Sequence, residues 1–170
     1  MTSRREFLAY TGVGALAAAV VGPAAGSAEA GEATGSHARA AGDPYLPVHT
    51  LNGWTLPFVM KDGVKEFHLV AEEVDHEFAP GSRAKCWGYN GSTPGPTIEA
   101  VEGDRIRILV TNRLPEHTTV HWHGILLPSG MDGVGGLNQP HIKPGETFAY
   151  EFTLQQHGTH LYHPHADEVV

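Results

Sequence analysis

Arg105-Ile106-Arg107-Ile108-Leu109-Val110-Thr111 places Ile106, Ile108 and Val110 at every second position, against Arg105, Arg107 and Leu109. Side chains of an extended chain point alternately to opposite faces, so a period of two marks a strand with one face in a core and the other near water. Glu102-Gly103-Asp104 turns the chain into this strand. Upstream, Val64 to Phe78 sets Phe67, Leu69 and Ala71 at alternate positions and is stopped by Ala79-Pro80-Gly81-Ser82. Arg83 to Tyr89 reads as a further strand, closed by Asn90-Gly91-Ser92-Thr93-Pro94-Gly95-Pro96, and Thr97 to Val101 as another. Downstream, Thr118 to Leu126, Thr147 to Leu154 and Thr159 to His163 complete the set. From Lys65 onward no stretch sustains a helical period. Short strands with frequent Gly/Pro turns predict an all-β fold, a Greek-key β-sandwich.

The segment before the strands reads differently. Ser3-Arg4-Arg5-Glu6-Phe7-Leu8 is a twin-arginine signature, followed by an uncharged apolar run from Gly12 to Val21 and by Ala28-Glu29-Ala30, an A-x-A cleavage site. The run is too short for a stable span, which needs roughly 20 apolar residues. Residues 1–30 therefore read as an export signal, addressing the chain to the periplasm or cell envelope, and residues 31–60 as a flexible lead rich at first in Gly, Ala and Ser. That leaves 61–170 as one domain.

Composition narrows the function. The net charge of −8 lacks the basic footprint of a nucleic-acid binder. The single cysteine, Cys86, excludes an intramolecular disulfide and a cysteine-rich zinc module. Histidine is the outlier, with 12 in the chain and most of them from His117 to His165. His121-Trp122-His123-Gly124 and His163-Pro164-His165 each carry two histidines at i and i+2. On a strand both members of a pair face the same way, about 6.6 Å apart. That is wide for two ligands of one ion and suits neighbouring ions, about 3.5–4 Å apart in a cluster. If the two strands face each other, His121, His123, His163 and His165 converge. Imidazole-rich sites favour copper or zinc, with copper highest in the divalent affinity order, and the pattern alone does not select between them. A mononuclear cupin-type site also begins with His-x-His but continues with a Glu, which Gly124-Ile125-Leu126-Leu127-Pro128 lacks.

His121-Trp122-His123-Gly124 followed by Gly158-Thr159-His160-Leu161-Tyr162-His163-Pro164-His165 resembles the first cupredoxin domain of multicopper oxidases, the laccase, ascorbate oxidase and bacterial copper-oxidase group. Asn90 to Thr97, Glu102-Gly103-Asp104, Met131-Asp132-Gly133 and Ile142-Lys143-Pro144-Gly145 support the likeness, which covers about Gly81 to Asp167. The resemblance implies a cupredoxin-like sandwich, with His121 a type 2 copper ligand and His123, His163 and His165 ligands of paired type 3 coppers. It places Asp132 where bacterial relatives hold an acidic residue near the trinuclear centre, suited to positioning water or passing protons; a plain turn role before Gly133 stays open. The activity implied is oxidation of a reducing substrate coupled to reduction of O2 to water. His160 falls where the family usually has an aromatic, and its odd spacing from His163 turns it to the opposite face. His117, His141 and His157 read as solvated loop residues, and Trp122 and Tyr162 as core residues beside the site.

In such enzymes the remaining cluster ligands come from later H-x-x-H-x-H and H-C-H motifs, which do not occur in these 170 residues. A blue-copper site needs a cysteine with two histidines; Cys86, between Lys85 and Trp87, reads instead as a buried strand residue, so no type 1 site is expected in this chain. The closing strand of the sandwich is expected beyond Val170, making the chain incomplete at its C-terminus, inactive alone and dependent on further domains or another chain. The competing readings are a non-catalytic periplasmic copper-binding module and a relative that has lost its metals. The reducing substrate is not legible.

Overall fold

The structure, a computed structural model, describes residues 47–51 and 53–165; the signal and most of the lead lie outside the described residues. The described residues form seven strands: β1 (Phe58–Lys61), β2 (Val64–Ala79), β3 (Ser82–Tyr89), β4 (Arg105–Asn112), β5 (Val120–His123), β6 (Thr147–Thr153) and β7 (Leu161–Pro164). The one helical element among the described residues is a 3-10 turn at Ser129–Met131. A five-stranded sheet runs β1-β2-β4-β6, with β3 pairing the far part of β2. A two-stranded sheet, β5-β7, forms the second layer. No helix among the described residues is long and apolar enough to cross a membrane.

Six expected strands are found with ends shifted by a few residues; one is not. Thr97 to Val101 forms only an isolated bridge, Thr55 with Thr97. The chain gains instead β1, which begins in the last residues of the segment read as a flexible lead. Asp62-Gly63 explains it: both residues have positive φ, 53° and 77°, and they join Lys61 to its partner Val64 as a two-residue hairpin. Turns of this shape match the strand twist, and a glycine carries such a φ without steric cost. Leu56, just before β1, is buried in the core.

β4 sits in the middle of the large sheet and its pattern decides the layers. Ile106, Ile108 and Val110 are all buried, and register places Phe67 beside Ile108 and Ile108 beside Tyr150. On the opposite face the same register lines up Glu66, Arg107 and Glu151. Arg107 donates to both carboxylates, at 2.9 Å to Glu66 and 2.7 Å to Glu151, and Arg105 also contacts Glu151. Hydrogen bonding to Arg107 holds both carboxyls below their ordinary range, and the two carboxylates raise Arg107 in return.

The small sheet closes over the core through Val120 and Trp122, both buried. The Trp122 ring meets Tyr150 edge-on with centroids 5.2 Å apart, and the Val120 N–H donates to the Tyr150 hydroxyl oxygen at 2.9 Å. Tyr150 thus joins the layers by packing and by a polar bond. Asn112, fully buried at the end of β4, ties down the approach to β5: its amide donates to the carbonyls of Glu116 (2.7 Å) and Ile142 (2.8 Å) and accepts from the Leu114 N–H (2.9 Å).

Candidate metal centre

The alternation that buries Val120 and Trp122 puts His121 and His123 on the outer face of the small sheet. β7 repeats the logic, because Tyr162 lies opposite Trp122 and His163 opposite His121 in the antiparallel register. Directly opposed residues share a face, so the two His-x-His pairs meet. Ring centroids are 5.5 Å apart for His121–His123, 5.3 Å for His121–His163, 5.5 Å for His123–His163 and 5.4 Å for His121–His165. Ligand nitrogens of His121, His123 and His163 all lie within 4.8 Å of one another. His165 is less closely drawn in, its ring stacked 6.3 Å from that of His163. The cluster lies at the surface: His123 is exposed and the other three are half-buried.

Hydrogen bonds to carbonyl oxygens select tautomers, since a carbonyl only accepts. His121 Nδ1 donates to the Asp132 carbonyl at 2.6 Å, leaving Nε2 with the lone pair. His163 Nδ1 donates to the Pro164 carbonyl at 2.8 Å, and its Nε2 lies 3.4 Å from His123 Nδ1. Imidazole nitrogen binds a first-row ion such as zinc at about 2.0–2.1 Å, so two ligands of one ion sit roughly 3–4 Å apart. The His123–His163 approach fits that, and the rings fit a small cluster of ions as a group. Neutral imidazoles oriented from behind by backbone carbonyls are the arrangement that metal-binding histidines use.

Asp132 lies against this group. It ends the 3-10 turn, and besides its carbonyl its carboxylate Oδ1 is 3.4 Å from His121 Nδ1. The Asn138 amide reaches Asp132 Oδ2 at 3.5 Å while its own oxygen accepts from the Val134 N–H at 3.0 Å. The next residue, Gly133, is buried with φ +87°, and a Cβ there would stand 1.9 Å from the Val120 carbonyl oxygen and 2.8 Å from the His121 α-carbon. The loop that carries the Asp132 carbonyl thus presses directly on the ligand strand, and only a glycine permits it.

Trp122 and Tyr162 are core-facing neighbours, as expected. The Tyr162 hydroxyl donates to the Pro96 carbonyl at 2.7 Å, and burial pushes its ionisation upward, as it does for Tyr89. His157 is exposed and pairs with Glu102 at 3.0 Å. His117 and His141 depart from the solvated-loop reading: their rings meet edge-on at 4.3 Å, both are half-buried, and His141 Nδ1 is shielded from water. The ring of His141 fills the space beside Gly135. His160 precedes β7, is exposed, and lies beside the Gln156 amide. Cys86 is half-buried on β3, in the other sheet, rather than fully buried. Asn112, Tyr150 and Gln156 carried no signal in the sequence, because each makes at least one bond to a residue 30 or more positions away; Gly133 carried one, the Asp132-Gly133 step.

Comparison with known proteins follows the same residues. The multicopper oxidase family model matches residues 70–169. Copper resistance protein A of Escherichia coli is 48% identical over 86 residues, 51% of this chain and 14% of that protein. L-ascorbate oxidase of Brassica rapa subsp. pekinensis is 51% identical over 100 residues, 56% of this chain and 18% of that protein. The crystal structure of a multi-copper oxidase from Pseudomonas thermotolerans superposes with TM-score 0.58 at 43% identity, covering 60% of this chain and 25% of that one. The chain thus spans under a fifth of these two curated relatives' length. A cupredoxin-like sandwich, two facing His-x-His strands and a family match over most of the described domain lead to one conclusion: this chain belongs to the multicopper oxidase family, whose metal is copper.

Proposed function

We propose that this chain is the copper-binding N-terminal cupredoxin domain of a multicopper oxidase, following an export signal over residues 1–30, and that it supplies half the ligands of a trinuclear copper cluster. The observation that carries the reading is the in-register pairing of His121 with His163, which turns both His-x-His pairs to one face. His121, held through Nδ1 by the Asp132 carbonyl, serves the type 2 position. His123, His163 and His165 serve the type 3 pair. Copper held there by these histidines would supply one-electron chemistry and a site for the reduction of O2 to water as a reducing substrate is oxidised. The chain's own part is orientation: β5 carries His121 and His123 and β7 carries His163, with His165 directly after its end, backbone carbonyls set the tautomers of His121 and His163, and the Asp132 carboxylate beside His121 positions water or moves a proton during oxygen reduction. The surface position of the cluster supports completion by ligands from further domains or another chain.

The test is copper stoichiometry by mass spectrometry on the full chain and on a variant carrying His121→Ala and His163→Ala together. Loss of tight copper in the variant is expected; retention of the parent's copper content defeats the assignment. Oxygen consumption, measured with the chain joined to a complementary domain bearing H-x-x-H-x-H and H-C-H motifs, separates an oxidase domain from a copper-binding module, which binds copper and consumes none.

A further inference from the structure

The ordered pairing of β5 with β7 ends at His123 opposite Leu161, so the most exposed of the proposed ligands occupies the last rung of a two-stranded ladder. Beyond it the chain turns at Gly124, and among the described residues no backbone pair holds that turn to the strand bearing His163. A side chain does so instead. The Gln156 amide nitrogen donates to the Gly124 carbonyl at 2.7 Å, and its amide oxygen accepts from the Leu126 N–H at 2.8 Å. Because one partner only accepts and the other only donates, the amide has a single orientation. Its second N–H faces His160 Nε2 at 3.3 Å, so His160 buttresses the amide from the far side. Together these bonds form a side-chain rung that continues the ladder where the strands stop.

Resting on the copper-site reading above, we propose that Gln156 is a positioning residue for the metal centre: by clamping Gly124 and Leu126 to the segment entering β7, it sets His123 against His163. Without the clamp the backbone at Gly124 is free to fray, and the 3.4 Å approach of His123 Nδ1 to His163 Nε2 becomes one conformation among many. Outer residues that orient ligands are worth about 10–100-fold in metal affinity. Gln156→Ala removes both bonds. Gln156→Glu is nearly isosteric and keeps the acceptor for Leu126, but it sets a carboxylate oxygen against the Gly124 carbonyl oxygen, so it breaks that half of the clamp.

The experiment uses the full chain with Cu(II) as the probe, measuring affinity by chelator competition and the copper spin-resonance spectrum. Amide hydrogen exchange at Leu126 is followed without metal. Gln156→Ala is expected to weaken copper roughly 10-fold or more, to alter the spectrum, and to speed exchange at Leu126, with Gln156→Glu weakening copper and altering the spectrum in the same direction. Gln155→Ala, at an exposed neighbour, should match the parent. Arg107→Ala, on the outer face of the other sheet, should lower the melting temperature without changing the copper spectrum. Parent-like copper affinity and spectrum in Gln156→Ala overturn the proposal. So does a loss no larger than that of Arg107→Ala at equal melting temperature. Should Gln156→Ala not fold, Gln156→Glu decides by the same criteria. A parent that binds no copper, with Leu126 exchange still dependent on Gln156, refutes the copper-site reading while leaving the clamp established.

Discussion

Gly133→Ala tests whether the fold and the metal centre share one contact. The methyl group would stand 1.9 Å from the Val120 carbonyl oxygen, so backbone must separate by more than 1 Å to reach van der Waals distance. Two penalties add: about 1–2 kcal/mol for a side chain at φ +87°, and about 1–3 kcal/mol for forcing volume into a packed region. Gly145 is the internal control, because its φ of +82° is similar but nothing lies within 4 Å of the point where its methyl would stand. Gly145→Ala therefore carries the first penalty alone. The difference of about 1–3 kcal/mol corresponds to a further drop in melting temperature of roughly 4–20 °C for a domain of this size. The displaced loop also carries the Asp132 carbonyl away from His121 Nδ1, now 2.6 Å distant, so copper affinity should fall about 10–100-fold in Gly133→Ala and stay unchanged in Gly145→Ala. Thermal unfolding and chelator competition read the two effects separately. Equal melting temperatures for the two variants refute the close approach; unchanged copper affinity in Gly133→Ala refutes the role of the Asp132 carbonyl in holding His121.

Asn112→Ala deletes three bonds at a buried position, and at about 1 kcal/mol each it should destabilise by roughly 3 kcal/mol in urea unfolding; a loss under about 1 kcal/mol would count against the knot. Glu66 and Glu151 have folded carboxyls held below the ordinary 4.5 by Arg107. The unfolded chain therefore binds protons first, and their stabilisation, full above about pH 4.5, drains as pH falls through the folded values. Arg107→Met should flatten that acid limb in urea midpoints taken between pH 6 and pH 3; a parallel shift would contradict the Glu66–Arg107–Glu151 pairing. The copper-loaded chain should show no intense blue thiolate band near neutral pH, and Cys86→Ser should leave its visible spectrum unchanged. An intense band lost in Cys86→Ser would mean that Cys86 is a ligand after all.

Much of the fold was legible because strand period is a local property. Ile106, Ile108 and Val110 announce one buried face whatever packs on it, and β4 carries that face. The hairpin β1–β2 was equally legible in Asp62-Gly63 but was masked by an unpatterned, exposed run at Phe58–Lys61. Thr97 to Val101 shows the reverse: an acceptable strand sequence that finds a single bridge partner in Thr55.

The amino-acid sequence by itself determined that His121 and His123 share a face, and that His163 and His165 do, since alternation follows from the stereochemistry of each peptide unit. It could not determine that His121 stands opposite His163, that the Asp132 carbonyl turns His121, or that Gln156 bridges Gly124 and Leu126. Those are meetings of residues 11 to 42 positions apart. Register and loop approach are set by how the Val120, Trp122, Tyr150 and Tyr162 side chains fill the space between two sheets, and that packing exists only once the chain has closed on itself.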